Sequence, residues 1–201
     1  MNRRLFLNRS LIICGLAGLS FIGCHSDGSS NNVTSATSGS QPKINTKAIK
    51  LESTAFKANG SIPIKYTCDG ENISPSLIWE QPPSGTQTLT LIVDDPDAPG
   101  GRFAHWVLYN IPATVHQLPE KIANARTLPN GSVQGKNDFG KLVYGGPCPP
   151  NGTHRYFFKL YALDKKLEIE PSANQAQILS AIDGHVLAQG ELVGFYRRRS
   201  T

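Results

Sequence analysis

Three stretches constrain this chain most: TLTLIVDD (Thr88–Asp95), RFAHWVLYNI (Arg102–Ile111) and RYFFKLYAL (Arg155–Leu163). All are rich in branched and aromatic residues, which fit a pleated, packed surface better than a helix. The first carries apolar residues on both parities, as a strand covered on both faces does. The second alternates, with Phe103, His105, Val107, Tyr109 and Ile111 on one face and Ala104, Trp106, Leu108 and Asn110 on the other. The third sets Tyr156, Phe158 and Leu160 against Phe157, Lys159 and Tyr161. All three read as central strands. AIKLES, SLIWE and ELVGFYR read as shorter ones, separated by turn signals such as EQPPSGT, DPDAPGG and PNG.

One helix interrupts this pattern. Ser172–Ala188 has Ser172 as its N-cap candidate, and Ile178, Ile182 and Val186 recur at helical spacing. Turns every eight to twelve residues favour a sandwich over a doubly wound sheet, in which strands and helices would alternate. The expected fold is a mainly β sandwich with a short C-terminal helix, over residues 48–198.

Ahead of it, MNRRLFLNRSLIICGLAGLSFIGC has a basic front, an apolar run and a small residue before Cys24. The run is about a dozen residues, short of the roughly twenty that cross a bilayer, so residues 1–23 read as a cleaved export signal. FIGC resembles a bacterial lipobox, which would acylate Cys24, and NRRLFLN resembles a twin-arginine address for substrates exported folded. Residues 24–47 are mostly Ser, Gly, Asn and Thr and read as a flexible tether. The expected location is the cell envelope, membrane-anchored, on the periplasmic side in a Gram-negative cell.

The formal charge of +5 falls to +2 once Arg3, Arg4 and Arg9 leave with the signal. That balance gives no electrostatic basis for a nucleic-acid surface. Beyond Cys14 and Cys24, only Cys68 and Cys148 remain. In an exported protein, two thiols suit one disulfide between the turns YTCDG and GPCPP; two independent thiols suit the sequence equally.

Polar residues meet the buried strands in three places. DDPDAPGG uses proline to hold Asp95 and Asp97, or is a turn whose aspartates cap local amides. His105 sits within an apolar strand, where a histidine usually just satisfies its ring nitrogens. His154 stands where the loop YGGPCPPNG runs into a strand, with Tyr156 on the same face.

Together the blocks YTCDGENISPSLIW, DDPDAPGGRFAHWVLYNIP, GGPCPPNGTHRYFFKLYALD and GELVGFYR resemble the phosphatidylethanolamine-binding protein family, in its bacterial Raf-kinase-inhibitor-like branch. The resemblance implies a β-sandwich with a small anion-accepting pocket at one end. By match to the family pattern the pocket residues are Asp95, Phe103, His105, Gly146, Cys148, Pro150, His154 and Tyr156. Two imidazoles and a phenol can donate to phosphate or carboxylate oxygens, and Gly145 and Gly146 let backbone come close. Asp95 could fix the tautomer of a histidine or hold the ammonium of a zwitterionic headgroup. The expected ligand is a small anion or a phospholipid headgroup, with no cofactor and no metal. A hydrolase built on the Asp, His, His and Tyr cleft is the alternative, although GxSxG, HExxH and Walker signatures are absent. A third reading is an interaction protein that inhibits a kinase or another partner.

Overall fold

The computed structural model describes residues 47–198. The expected signal, the lipidation site Cys24 and all of the tether except Lys47 lie outside the described residues. The strands are β1 Lys47–Ala48, β2 Leu51–Glu52, β3 Gly60–Ser61, β4 Leu77–Trp79, β5 Thr88–Asp95, β6 Phe103–Pro112, β7 Gln117–Leu118, β8 Val133–Gln134, β9 Thr153–Leu163 and β10 Val186–Arg197. A 3-10 turn covers Ile64–Tyr66 and the helix α1 covers Gln175–Ile182. The large sheet runs β1-β10-β9-β5-β6-β8, with β3 also on β10, and a small sheet runs β2-β4-β7. Among the described strands, β1 and β3 pair in parallel, both with β10, and the other pairings are antiparallel.

The three long apolar stretches form adjacent strands, β6-β5-β9, in the middle of the large sheet. Both faces are covered, so β5 is buried at every position. On one face Leu91, Val93, Trp106 and Phe158 pack against Leu77, Trp79 and Leu118 of the small sheet. On the other, Ile92, Val107 and Tyr109 pack with Ile178 and Ile182 of α1. The mainly β sandwich with one helix is therefore the observed architecture.

Three expectations are corrected. AIKLES is not one strand: β1 joins the large sheet and β2 joins the small one, so the chain changes sheets within it. The helix is shorter than residues 172–188. Its cap is Asn174, whose side chain accepts from Gln177 N–H while the Gln177 side chain accepts from Asn174 N–H. Gly184, at φ +75°, lies beyond its end, and Val186 starts β10. Ser172 sits outside the helix at φ +89°.

The third correction concerns β6. Val93 pairs with Trp106 but Asp94 pairs with Ala104, which leaves His105 as an extra residue in a bulge. The two-residue alternation breaks there. Trp106 faces the small sheet and Val107 faces α1, yet the His105 ring lies 5.1 Å from that of Tyr156, on the same side as Trp106. A second irregularity, between Leu89 and Leu91, accompanies Asn110 at φ +55° and turns Ile111 to the small-sheet side.

Candidate functional site

The order β6-β5-β9 brings the bulge of β6, the end of β5 and the start of β9 together, and with them His105, Asp95 and His154. The paired aspartates divide between the faces. Asp94 points toward α1 and is held by Arg102 at 2.6 Å, Gln175 at 2.8 Å and Lys159 at 3.1 Å. Asp95 points to the opposite end.

Each oxygen of Asp95 has a partner. Oδ1 accepts from Asp97 N–H at 2.8 Å, and Oδ2 accepts from His154 Nδ1 at 2.8 Å. A carboxylate oxygen only accepts, so the Asp95 contact places a proton on Nδ1 and turns Nε2 of His154 outward. Asp97 is gripped in turn by Arg155, through its backbone N–H at 2.9 Å and its guanidinium at 2.6 and 2.9 Å. These contacts, led by the guanidinium, hold the Asp97 carboxyl at a pKa of about 2. The DPDAP turn is thereby locked onto β9.

His105 is tied differently. Its Nδ1 lies 2.7 Å from the Gly145 carbonyl, and Gly145 N–H donates back to the His105 carbonyl at 2.9 Å. The carbonyl can only accept, so Nδ1 carries the proton and Nε2 of the neutral ring is a bare acceptor. Burial is the largest influence on this ring and holds its pKa below the ordinary histidine value.

A pocket of about 190 Å³ opens among these groups. Of the residues expected from the sequence, Asp95, Phe103, His105, Cys148, Pro150 and His154 line it, and two do not. Tyr156 lies beneath, fully buried, and its hydroxyl, near Asp95 and the Cys148 backbone, makes no well-formed hydrogen bond among the described residues. Burial first, and then the charge of Asp95, push its phenol well above the ordinary tyrosine value. The Gly146 N–H is taken by Asn72 Oδ1 at 2.7 Å, and a Cβ at Gly146 would lie 2.3 Å from the Tyr66 carbonyl oxygen. Gly146 thus brings the loop close to the YTCDGEN turn. Cys68 and Cys148 form a disulfide, with Cα atoms 5.4 Å apart.

Phe139 was not among the expected residues, yet it lines the pocket. Its ring meets Phe103 at 4.8 Å and His105 at 5.3 Å, both edge to face. Buried Asn137 builds the turn that presents it, donating to the Val143 carbonyl at 2.8 Å and accepting from Lys141 N–H at 2.9 Å. Gly145 makes the seat, since a Cβ there would be 2.6 Å from the Phe139 ring. The signal for this residue was NDFGK, a buried-amide turn carrying one large apolar side chain. Among the described residues, no group of three or more His, Cys, Asp or Glu is placed to hold a metal ion.

Known proteins resemble this chain in sequence and in fold. A UPF0098 protein of Methanothermobacter thermautotrophicus is 53% identical over 150 residues, covering 75% of this chain and 99% of its own. A UPF0098 protein of Aquifex aeolicus is 46% identical over 153 residues, covering 75% and 89%. The crystal structure of a phosphatidylethanolamine-binding protein homologue from Chlamydia trachomatis superposes with a TM-score of 0.70 at 40% identity, covering 77% of this chain and 100% of that one. YbcL of E. coli, described as a member of the mammalian family, also gives 0.70, at 36% identity and 75% and 99% coverage. The family model described as phosphatidylethanolamine-binding protein matches residues 52–197, and the chain belongs to that family.

Proposed function

We propose that the pocket binds a small anion, a phosphate or carboxylate group that is free or carried on a headgroup such as phosphoethanolamine. The observation that carries this reading is the Asp95–His154 pair, 2.8 Å long with both side chains buried at the pocket wall. With Nδ1–H given to Asp95, the ring that takes up a proton with the anion donates to it through Nε2–H, and a charged donor is worth more than a neutral one. His105 complements it. Its bare Nε2 accepts from the P–OH or COOH of a monoprotonated ligand, or takes up a proton as a fully ionised ligand enters.

Size and surroundings support the same reading. About 190 Å³ is well under the roughly 300–1,000 Å³ of pockets for drug-sized ligands and suits one headgroup. Phe103, Phe139, Pro149 and Pro150 make apolar walls, which strengthen polar contacts inside. On the strength of the N-terminal sequence, the domain works outside the cytoplasm, held to a membrane by a lipid on Cys24. A Cys24→Ser chain that stays with the membrane fraction as wild type does would refute the anchor.

The test is calorimetric titration of phosphate and phosphoethanolamine from pH 5 to 8. Binding tightens as pH falls, with net proton uptake. His105→Ala and His154→Ala each weaken it by about 1.5–3 kcal/mol, the range for a hydrogen bond to a charged group. If the folded double variant binds as wild type does, or if neither binds, the reading is wrong.

The Asp95–His154 pair also favours a second reading, since a histidine oriented by a carboxylate is how hydrolases hold a general base. Ester or phosphoester turnover by wild type that disappears in His154→Ala would establish it.

A further inference from the structure

The pocket wall contributed by residues 147–150 is poorly held by its own backbone. Pro147, Pro149 and Pro150 have no N–H, so GPCPP cannot join a ladder. Upstream the loop is tied: Tyr144 Oη donates to the Tyr66 carbonyl at 2.8 Å, Gly146 N–H to Asn72, and Cys68 N–H to the Pro147 carbonyl at 3.1 Å. At Cys148 the tie becomes covalent, through the bridge to Cys68. Immediately after it come Pro149 and Pro150, both of which line the anion pocket. The bridge is therefore the last fixed point before that wall.

The same bridge borders a second cavity. Cys68 and Cys148 both line a groove of about 350 Å³ across Phe139 from the pocket, with Glu71, Asn72 and Lys141. Both cysteines are only half-buried. The bond that holds the wall thus borders a groove, separate from the anion pocket, from which a thiolate of another molecule can approach it.

We propose that the Cys68–Cys148 bridge is a redox latch on the pocket, opened and closed through this groove by a dithiol or disulfide partner. The proposal rests on the anion-binding reading for its consequence and on the bridge's geometry for its chemistry. A partner thiolate attacks an Sγ of the bridge, the S–S bond breaks, and the other protein sulfur leaves as a thiolate that takes up a proton. The partner's second thiol then attacks the mixed disulfide. The protein gains two electrons as two thiols, and the partner leaves as a disulfide. Opening the latch frees Cys148, Pro149 and Pro150, so the pocket loses one side while β5, β6 and β9 keep His105, Asp95 and His154 in the sheet. A chain carrying reduced cysteines in a thiol-rich compartment has an incomplete site, and oxidation completes it.

The experiment compares the mature chain in three states: oxidised, reduced with dithiothreitol under native conditions, and reduced then reoxidised. Phosphate titration is combined with hydrogen exchange followed by mass spectrometry. Expected is at least a tenfold loss of phosphate affinity on reduction, recovered on reoxidation. Exchange should rise in the peptide spanning residues 144–153, with β5 and β9 still protected. Cys68→Ser should behave as the reduced protein does. Equal phosphate binding by oxidised and reduced protein overturns the latch, as does a bridge that native-state dithiothreitol cannot reduce. Global loss of protection on reduction also overturns it, because the bridge is then a fold staple. Oxidised protein that ignores phosphate overturns the anion reading instead, and the exchange data alone then decide the latch.

Discussion

Two buried tyrosines allow the same chemical change to be made with opposite expected signs. Tyr156 is fully buried and its hydroxyl makes no well-formed hydrogen bond among the described residues, whereas Tyr144, also buried, donates to the Tyr66 carbonyl at 2.8 Å. Leaving a buried polar group unpaired costs about 1–3 kcal/mol, and a made hydrogen bond contributes about 0.5–1.5 kcal/mol net. Tyr156→Phe removes an unpaired hydroxyl, and some of the gain is offset by lost van der Waals contact. A net stabilisation of about 1 kcal/mol follows, raising Tm by about 2–4 °C for a domain of this size. Tyr144→Phe instead deletes a bond and strands the Tyr66 carbonyl, which should cost about 1–3 kcal/mol. Urea unfolding of both variants beside wild type, under non-reducing conditions, gives the two differences directly, provided that m is unchanged. If Tyr156→Phe proves as destabilising as Tyr144→Phe, the Tyr156 hydroxyl has a partner in the folded protein. The account of an unpaired phenol beneath the pocket then fails.

Two further perturbations follow from the same geometry. The folded pKa of His105 lies below its unfolded value of about 6.5, so the unfolded chain binds the extra proton first; its contribution is intact above that pH and is lost as pH falls toward the lowered value. Asp97 acts in a lower window, its contribution being present above about 3.9 and lost as pH falls through its folded value of about 2. Thermal melts from pH 8 to 2 should show both losses, with His105→Asn removing the first and Asp97→Asn the second. Gly146→Ala should destabilise by about 1–3 kcal/mol through overpacking, because the new Cβ would meet the Tyr66 carbonyl oxygen at 2.3 Å and Thr67 Cα at 2.8 Å. A stability change within about 0.5 kcal/mol of zero would mean that the loop relaxes freely.

The fold was legible where sequence period and burial agree. TLTLIVDD announced a strand covered on both faces, and it is buried throughout. The alternation of RYFFKLYAL placed Tyr156, Phe158 and Leu160 together in the core, as the structure has them. The helix boundary was misjudged because SAN offers two N-cap candidates, Ser172 and Asn174. The capping-box spacing does not select between them, since a glutamine stands three residues after each, Gln175 after Ser172 and Gln177 after Asn174. Local spacing allows both, and what decides is Ser172 adopting φ +89° as the chain arrives from Pro171. Val186 kept helical spacing, but Gly184 before it and eleven paired positions along β9 draw it into β10.

The site was harder to read, because the feature that builds it is an irregularity. Strict alternation puts His105 on the face of Val107, which looks toward α1, far from Asp95 and Tyr156. The bulge inserts one residue between the pairings Val93–Trp106 and Asp94–Ala104, and that residue is His105. Nothing in RFAHW marks it, since no glycine or proline lies within the five residues. The stabilising contacts come from elsewhere: the Asp138 carboxylate takes Ala104 N–H at 2.6 Å, and Asn137 and Gly145 both donate to the His105 carbonyl. All three belong to the loop that also carries Phe139. The backbone irregularity, the histidine's tautomer and the aromatic wall therefore share one cause, and a substitution at Asn137 should disturb all three while leaving the sheet's remaining pairs in register.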